Sequence, residues 1–478
     1  MSSDQSSVIV WFRRDLRLAD NPALAHAVAT GRPIVPVYIL DRDENPAPGG
    51  AAKWWLDKSL KALDISLTAA GSPLVLRSGH AELELPRLAG EVGAGLVVMN
   101  RLFEPVAWAR DAEIAHELKS AGVDCKGYNG SLLCSPGSVL NGSGQPYKVF
   151  TPFSKSLLST AEPRDLGPAP TGLSSVPGTG SEAIEDWNLQ PSSPDWSTGF
   201  DWSPGEIGAR RALEEFIKGG LARYSSGRDR PAEQGSSRLS PHLHWGELHP
   251  WRVVESVRAA AESGKAPKSE AEAFVREIVW REFSAHLLHH FPRLPERAFR
   301  PEYDAFEWRD DPAGFEAWTR GRTGYPIVDA GMRQLWTTGW MHNRVRMIVA
   351  SFLVKDLLID WRRGQAWFWD TLVDADLGNN SQNWQWIAGS GADASPFFRV
   401  FNPTTQGEKF DPKGDYVRRW VPELAALPAK WIHTPHDAPS DVLSAAGVTP
   451  RTYPKPIVDH KAARERALAA LKQIARAD

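Results

Sequence analysis

Val8-Ile-Val-Trp-Phe12 runs directly into Arg13-Arg-Asp-Leu-Arg17, and this passage decides how the first third of the chain is read. The apolar pentad reads as a strand, and similar short runs recur at Ile34 to Leu40, Leu74 to Leu76 and Leu96 to Met99. Longer amphipathic stretches, such as Lys53 to Ala69 and Pro105 to Ala121, lie between them. Strands alternating with helices argue a parallel sheet with crossover helices. Arginines follow the first strand where a dinucleotide-binding fold would carry GxGxxG, so a standard dinucleotide site is not expected there.

Beyond Ser135 the character changes. Pro163 to Pro204 is dense in Pro, Gly and Ser and lacks periodicity, which predicts a long surface linker. From Glu206 to about Ile387 the pattern is helical, most clearly over Ala271 to His290 and Arg346 to Trp361, with prolines marking the intervening turns. His460 to Asp478 reads as a short amphipathic helix, and no internal repeats are evident. A chain of 478 residues exceeds one hydrophobic core, so two domains or more are expected. Two cysteines, Cys125 and Cys134, exclude a disulfide scaffold. The polar start from Met1 to Ser7, and the lack of any long apolar run, predict a cytoplasmic protein with no membrane partner. The net charge of −3 announces no polyanion, so nucleic-acid binding needs a local basic patch. Of 21 tryptophans, 14 lie from Trp245 onward, and some stand in polar motifs where packing is a poor account.

Four stretches carry chemistry. On an Ala271–His290 helix, Phe274, Glu277, Arg281 and Ser284 share a stripe with Trp280 beside them. A carboxylate on an apolar helix needs a partner, and a structural Glu277–Arg281 pair explains the spacing equally well. In Thr338-Gly-Trp-Met-His-Asn-Arg-Val-Arg-Met347, Gly339 interrupts the pattern and a helix restarts near Met341. Asn343, Arg346, Met347 and Ala350 then share a face too mixed for core or solvent, which predicts a pocket lining. Asp374-Ala-Asp-Leu-Gly-Asn-Asn-Ser-Gln-Asn-Trp-Gln-Trp386 combines acids, amides and tryptophans, with Asp374 a partner for Arg346 or Arg281. Such clusters also simply make turns. Finally, Tyr224-Ser-Ser-Gly-Arg-Asp-Arg-Pro-Ala and Ser236-Ser-Arg-Leu-Ser-Pro-His-Leu243 suit a pyrophosphate at a helix start, although a Ser240-Pro241 cap accounts for the second. His286, His289 and His290 lack suitably spaced metal partners, so no metal is expected.

Together these motifs resemble the photolyase/cryptochrome family along nearly the whole chain, from Trp11 to His460. The strongest matches are Thr323-Gly-Tyr-Pro-Ile-Val-Asp-Ala-Gly-Met-Arg333, Trp340-Met-His-Asn-Arg344 and Phe397-Phe-Arg-Val-Phe-Asn-Pro-Thr-Thr-Gln-Gly407. The resemblance implies an α/β antenna-binding domain over 1–135, with a parallel five-stranded sheet and helices on both faces. A linker over 136–205 and a larger all-α FAD- and DNA-binding domain over 206–478 would follow. It implies light-dependent repair of cyclobutane pyrimidine dimers, in which excited, reduced, anionic FAD gives an electron to a lesion flipped out of DNA.

Residue by residue, Tyr224, Ser236, Ser237, Arg238, Leu239 and Ser240 match the phosphate and ribityl contacts. Phe274, Glu277, Arg281, Asn343, Arg346, Asp374 and Asp376 match further cofactor contacts, with Arg346 paired to Asp374 and Asn380 facing flavin N5. At about 4 Å and an effective dielectric near 20, one charge pair is worth roughly 4 kcal/mol, so Arg346 can favour the flavin anion. Glu277 and Asn343 match the groups that bond the pyrimidines, Trp280 and Trp386 the apolar walls, and Met347 a packing contact. Arg228, Arg344, Arg399 and Lys409, with Trp280 and Trp386, match the DNA-facing set. Trp384, Trp361 and Trp308 match an electron path from the surface. Spacing alone would make those three tryptophans core.

Asn343 and Met347 stand where (6-4) photoproduct enzymes usually carry histidines, which favours cyclobutane dimers. Asn380, where plant-type receptors usually carry Asp, favours repair over a cryptochrome-type blue-light receptor, the main alternative. A DASH-type cryptochrome and a non-photochemical flavin oxidoreductase fit less well. His242-Leu-His-Trp-Gly-Glu-Leu248 resembles class III bacterial members. The antenna expected is methenyltetrahydrofolate. Val106-Ala107 replaces the folate-binding Asn-Glu pair of some class I enzymes, which leaves a different folate pose, a deazaflavin or no antenna open. A monomer is expected.

Overall fold

The pentad Val8–Phe12 becomes the central part of strand β1 (Ser7–Phe12), every residue of which is buried. The computed structural model describes residues 6–41, 44–161, 167–394 and 399–474. Strands β2 (Ile34–Asp41), β3 (Val75–Gly79), β4 (Ala94–Asn100) and β5 (Asp124–Tyr128) join β1 in one sheet of order β3-β2-β1-β4-β5. All four pairings are parallel, with Val8 opposite Ile34 on one side and Leu96 on the other. Helices α1 (Pro22–Ala29), α2 (Gly50–Ala70), α3 (Ala81–Val92) and α4 (Pro105–Ser120) make the crossovers. β-branched and aromatic residues suit strands buried on both faces. Ile9, Trp11, Val37 and Val97 accordingly pack with Leu85, Leu88, Ile114 and Leu118 of α3 and α4. The arginines after β1 are structural: Arg13 pairs with Asp111 on α4, and Arg17 donates to the carbonyls of Asp20, Gly130 and Gly246.

The chain gathers into two compact units that cut across the sequence-ordered division expected. The first holds residues to Asp195 together with Trp202–Lys218 and Ser237–Pro292, and so includes the Lys268–His290 helix. The second holds Trp196–Asp201, Gly219–Ser236 and the chain from Arg293. The expected linker 136–205 is not structureless, because α5 (Phe150–Thr160) lies within it. Phe150, Phe153 and Leu157 supply its buried stripe at helical spacing.

In the second unit, helices Pro312–Thr319, Pro326–Thr338, Asn343–Ser351, Trp361–Thr371 and Leu377–Ala388 enclose one core containing Trp318, Phe352, Leu353, Trp361 and Trp384. The single helix expected over Arg346–Trp361 is corrected. The helix starts at Asn343, passes into a π-helical turn at Phe352–Asp356, and ends before Leu358 in left-handed backbone. Asp360 then caps a new helix by accepting from the Arg362 N–H, a break that good helix formers hide from a propensity reading. Gly339 ends the preceding helix at φ +66°, where a Cβ would meet Phe200 and Val373. The helix restarts near Met341 as expected, with His342 as its cap and Asn343 its first residue. The C-terminal helix runs His460–Ile474, and the expected remainder to Asp478 lies outside the described residues.

Candidate functional site

The first unit carries the stripe of the Lys268–His290 helix. Phe274 is buried against Phe216 at 4.6 Å, Glu277 is half-buried, and Trp280 is half-buried with Phe150 stacked on it. Arg281 donates to the carbonyls of Ser131 and Leu243 and pairs with Glu282, at 2.9, 3.2 and 3.1 Å. Glu282, which sequence reasoning missed, is the buried carboxylate of this helix. Burial pushes its carboxyl up to about 7, against the opposing pull of Arg281 and the Leu133 and Cys134 N–H groups. Its only sequence signal is its place directly after Arg281.

Ser237, Arg238, Leu239 and Ser240 also belong to the first unit. The short helix begins at Ser240, but Leu239, with no side-chain cap, holds the cap position expected of the Ser240-Pro241 pair. Leu239 is buried, so its backbone is what it can offer a ligand. Arg238 has left-handed backbone, φ +53°, and its guanidinium lies 3.9 Å from the centre of the Trp202 ring. A non-glycine residue in that region signals a segment held by its surroundings.

In the second unit, Tyr224 is buried under Arg228, Ser236 is half-buried, and Asn343 is exposed at the start of its helix. His342 caps that helix by accepting from the Arg344 N–H. Burial pushes its imidazole down to about 4, and its Nε2 has no partner among the described residues. Arg346, one turn on, donates to the Met341 carbonyl at 2.8 Å and pairs with Asp374 at 2.9 Å, so Asp374 takes Arg346 as its partner. The Asp374 side chain is 3% exposed and that of Arg346 24%, a largely desolvated pair. Asp376 caps the Leu377–Ala388 helix through the Asn379 N–H.

Asn380, 8% exposed, donates from Nδ2 to the Gln365 carbonyl at 3.0 Å. Gln365 in turn donates from Nε2 to Ser381 Oγ. The tie commits the amide N–H end of Asn380 and leaves Oδ1 as an acceptor. Sequence reasoning missed Gln365, whose signal would have been an amide four residues after the start of a helix rich in Trp and Arg.

Trp384 and Trp361 are buried in the second-unit core with Trp308 at its edge, as packing alone would place them. Gly364 lets the Trp384 ring approach, since a Cβ there would stand 2.2 Å from it. Trp386 is half-buried and donates from Nε1 to the Asp393 carbonyl at 3.2 Å. Met347 touches Arg344 through Sδ, and Arg344 pairs with Asp229 at 2.8 Å. Arg344 and Lys409 both lie over Phe410, and Arg230 donates to the Lys409 carbonyl at 3.3 Å. Arg230, Arg344 and Lys409 thus lie together with Asp229 paired to Arg344, and the Arg-Asp-Arg run had signalled the overlooked Arg230. Arg399 is exposed and its carbonyl accepts from Lys355; Phe397 and Phe398, which open that motif, lie outside the described residues.

Residues 8–171 match the family model for DNA photolyase, and 274–473 that for the FAD binding domain of DNA photolyase. This chain belongs to the photolyase/cryptochrome family. A deoxyribodipyrimidine photo-lyase of Agrobacterium fabrum is 53% identical, covering 98% of both chains. Cryptochrome-2 of Arabidopsis thaliana is 41% identical over 96% of this chain and 77% of its own. The crystal structure of a class III photolyase from Agrobacterium tumefaciens superposes with a TM-score of 0.96 at 52% identity, covering 100% of this chain and 99% of that one. The five-stranded parallel sheet and the helical FAD-binding half are therefore the family fold in this photolyase-like chain. Among the described residues no helix is long and apolar enough to cross a membrane, and no cluster of His, Cys, Asp and Glu could hold a metal.

Proposed function

We propose that this chain repairs cyclobutane pyrimidine dimers in DNA under light, as a carbon–carbon lyase. The observation that carries this reading is Asn380, buried with its donor end tied to Gln365 and its carbonyl oxygen left to accept. Reduced FAD, when bound, supplies the photoexcited electron. With FAD bound, Asn380 Oδ1 would be the acceptor offered to flavin N5–H and, being an amide, would offer no acidic proton in return. Arg346 contributes positive charge that Asp374 partly offsets, and Asp376 holds the start of the Asn380 helix. Tyr224, Ser236, Ser237, Arg238, Leu239 and Ser240 hold the phosphates and ribityl chain, with Phe274 and Arg281 as further contacts.

Glu277 and Asn343 bond the pyrimidine edges, while Trp280, Trp386 and Met347 pack on the lesion. Stacking worth about 1–3 kcal/mol per base offsets an extrusion cost of a few kcal/mol. Arg228, Arg344, Arg399 and Lys409 meet phosphates. Trp308, Trp361 and Trp384 pass an electron inward from the surface. Residues 1–135 carry the antenna, for which we propose methenyltetrahydrofolate, and the protein works as a cytoplasmic monomer.

The cryptochrome-type receptor stays in view because of the 41% identity to cryptochrome-2, below the 53% to the bacterial photo-lyase. Illumination of the reduced, FAD-loaded chain with dimer-containing DNA separates them. Restored thymines support repair, and damaged thymines left fused overturn it. An absorbance spectrum of the purified protein tests the antenna.

A further inference from the structure

One face of Trp280 is already covered. Phe150, the first residue of α5, lies parallel to it with ring centroids 3.6 Å apart and 3° between the planes. Phe283, one turn beyond Trp280, sets its edge against both rings, at 5.9 Å from Phe150 and 5.8 Å from Trp280. Phe153, one turn beyond Phe150, closes on Phe283 at 5.1 Å. Aromatic pairs left to themselves prefer offset or edge-to-face geometry, so a close parallel sandwich persists where the surroundings fix both rings. His286 ties the segment preceding α5 to the Lys268–His290 helix: its two ring nitrogens lie 3.2 Å from the carbonyls of Pro136 and Tyr147, and burial holds the imidazole neutral, so its single N–H donates to one of them. Phe150 is 6% exposed, whereas Trp280 stays half-buried and can still present surface to a ligand.

We propose that Phe150 is a positioning residue for lesion recognition, clamping the plane of Trp280 so that its uncovered surface forms a ready-made stacking wall. The proposal rests on the reading of Trp280 as a lesion wall. A clamped indole loses no rotamer freedom when a base stacks on it, and a tilted one cannot lie flat on the base. The effect belongs to the flipped lesion, because undamaged duplex leaves its bases in the helix.

The test uses the full FAD-loaded chain, comparing Phe150→Leu and Phe150→Tyr with wild type. Three quantities are read: the Kd for dimer-containing duplex in the dark, the Kd for undamaged duplex, and repair per absorbed photon at saturating DNA. Phe150→Leu is expected to raise the dimer Kd about tenfold, with the other two quantities within about twofold of wild type. Phe150→Tyr, which restores a ring, is expected to return the dimer Kd to the wild-type value. If Phe150→Leu fails to retain FAD, Phe150→Met takes its place, keeping volume without a ring. An unchanged dimer Kd, an equal weakening on both DNAs, or no rescue by Tyr overturns the proposal. A wild-type chain that neither prefers nor repairs dimer DNA overturns the reading of Trp280 instead.

Discussion

Replacing Asn380 by Asp changes a single atom type, yet the surroundings make the consequence large. Asn380 Nδ2 donates to the Gln365 carbonyl at 3.0 Å in a site 8% exposed. A carboxylate there would face that carbonyl acceptor to acceptor. Leaving such a group unsatisfied costs about 1–3 kcal/mol, and more when charge is buried. The introduced carboxyl escapes by keeping its proton and donating it to Gln365. At about 1.36 kcal/mol per unit, its pKa should rise by about one to two units, from about 3.9 to between 5 and 6.

The sign follows from linkage. Between the unfolded and folded pKa values the folded variant binds more protons, so its stability falls as pH rises through that window and stays low above it. About 1–2 kcal/mol of this loss develops between pH 4.5 and pH 7.5, so in FAD-loaded protein the melting gap between wild type and Asn380→Asp should be about 2–8 °C wider at pH 7.5 than at pH 4.5. That proton sits on the oxygen turned to Gln365, so once it is lost above the folded pKa the carboxylate places negative charge at the atom proposed to face flavin N5, and repair per photon should fall as pH rises through the same window. A melting gap independent of pH would refute the orientation assigned to this amide.

Arg346→Gln strands Asp374, whose side chain is 3% exposed, and should destabilise the second unit by about 2–4 kcal/mol. Adding Asp374→Asn should recover part of this, and a single variant melting with wild type contradicts the pair's assigned weight. Burial pushes the Lys355 ammonium down to about 7 from an ordinary 10.5. Its folded form therefore binds fewer protons than the unfolded chain between those values, and stability rises with pH across that window. Lys355→Met should remove a slope worth on the order of 2–4 kcal/mol, and parallel melting curves from pH 7 to 9.5 would rule this out. Lys409→Ala should lower the slope of log Kd against log salt by about 0.9, equally on damaged and undamaged DNA. A loss confined to damaged DNA would remove Lys409 from the phosphate contacts.

Much of the fold was legible along the chain because it depends on local pattern. Short apolar runs alternating with amphipathic stretches sufficed for β1 to β4, and the 3.6-residue stripe placed Phe274, Glu277 and Arg281 on one helix. The break at Phe352–Asp360 was not legible. Good helix formers fill it, and what ends the helix is tertiary: Lys355 reaching the Arg399 carbonyl, Asp356 bonded to His460, and Asp360 capping anew. Similarly, α5 disappeared into a segment judged by its Pro- and Gly-rich neighbours, although its three buried residues keep helical spacing.

Residue types by themselves determined that this chain has an α/β half and a helical half, and which stretches mix amides, acids and tryptophans too freely for plain core. Partner choice belonged to the folded state. Asp374 selects Arg346 rather than Arg281, Arg281 binds Glu282 and two carbonyls, and Asn380 turns its donor towards Gln365. Spacing reports which side chains can share a face, whereas a hydrogen bond or ion pair across tens of residues exists only once packing has brought its two ends within about 3 Å in a largely dry interior.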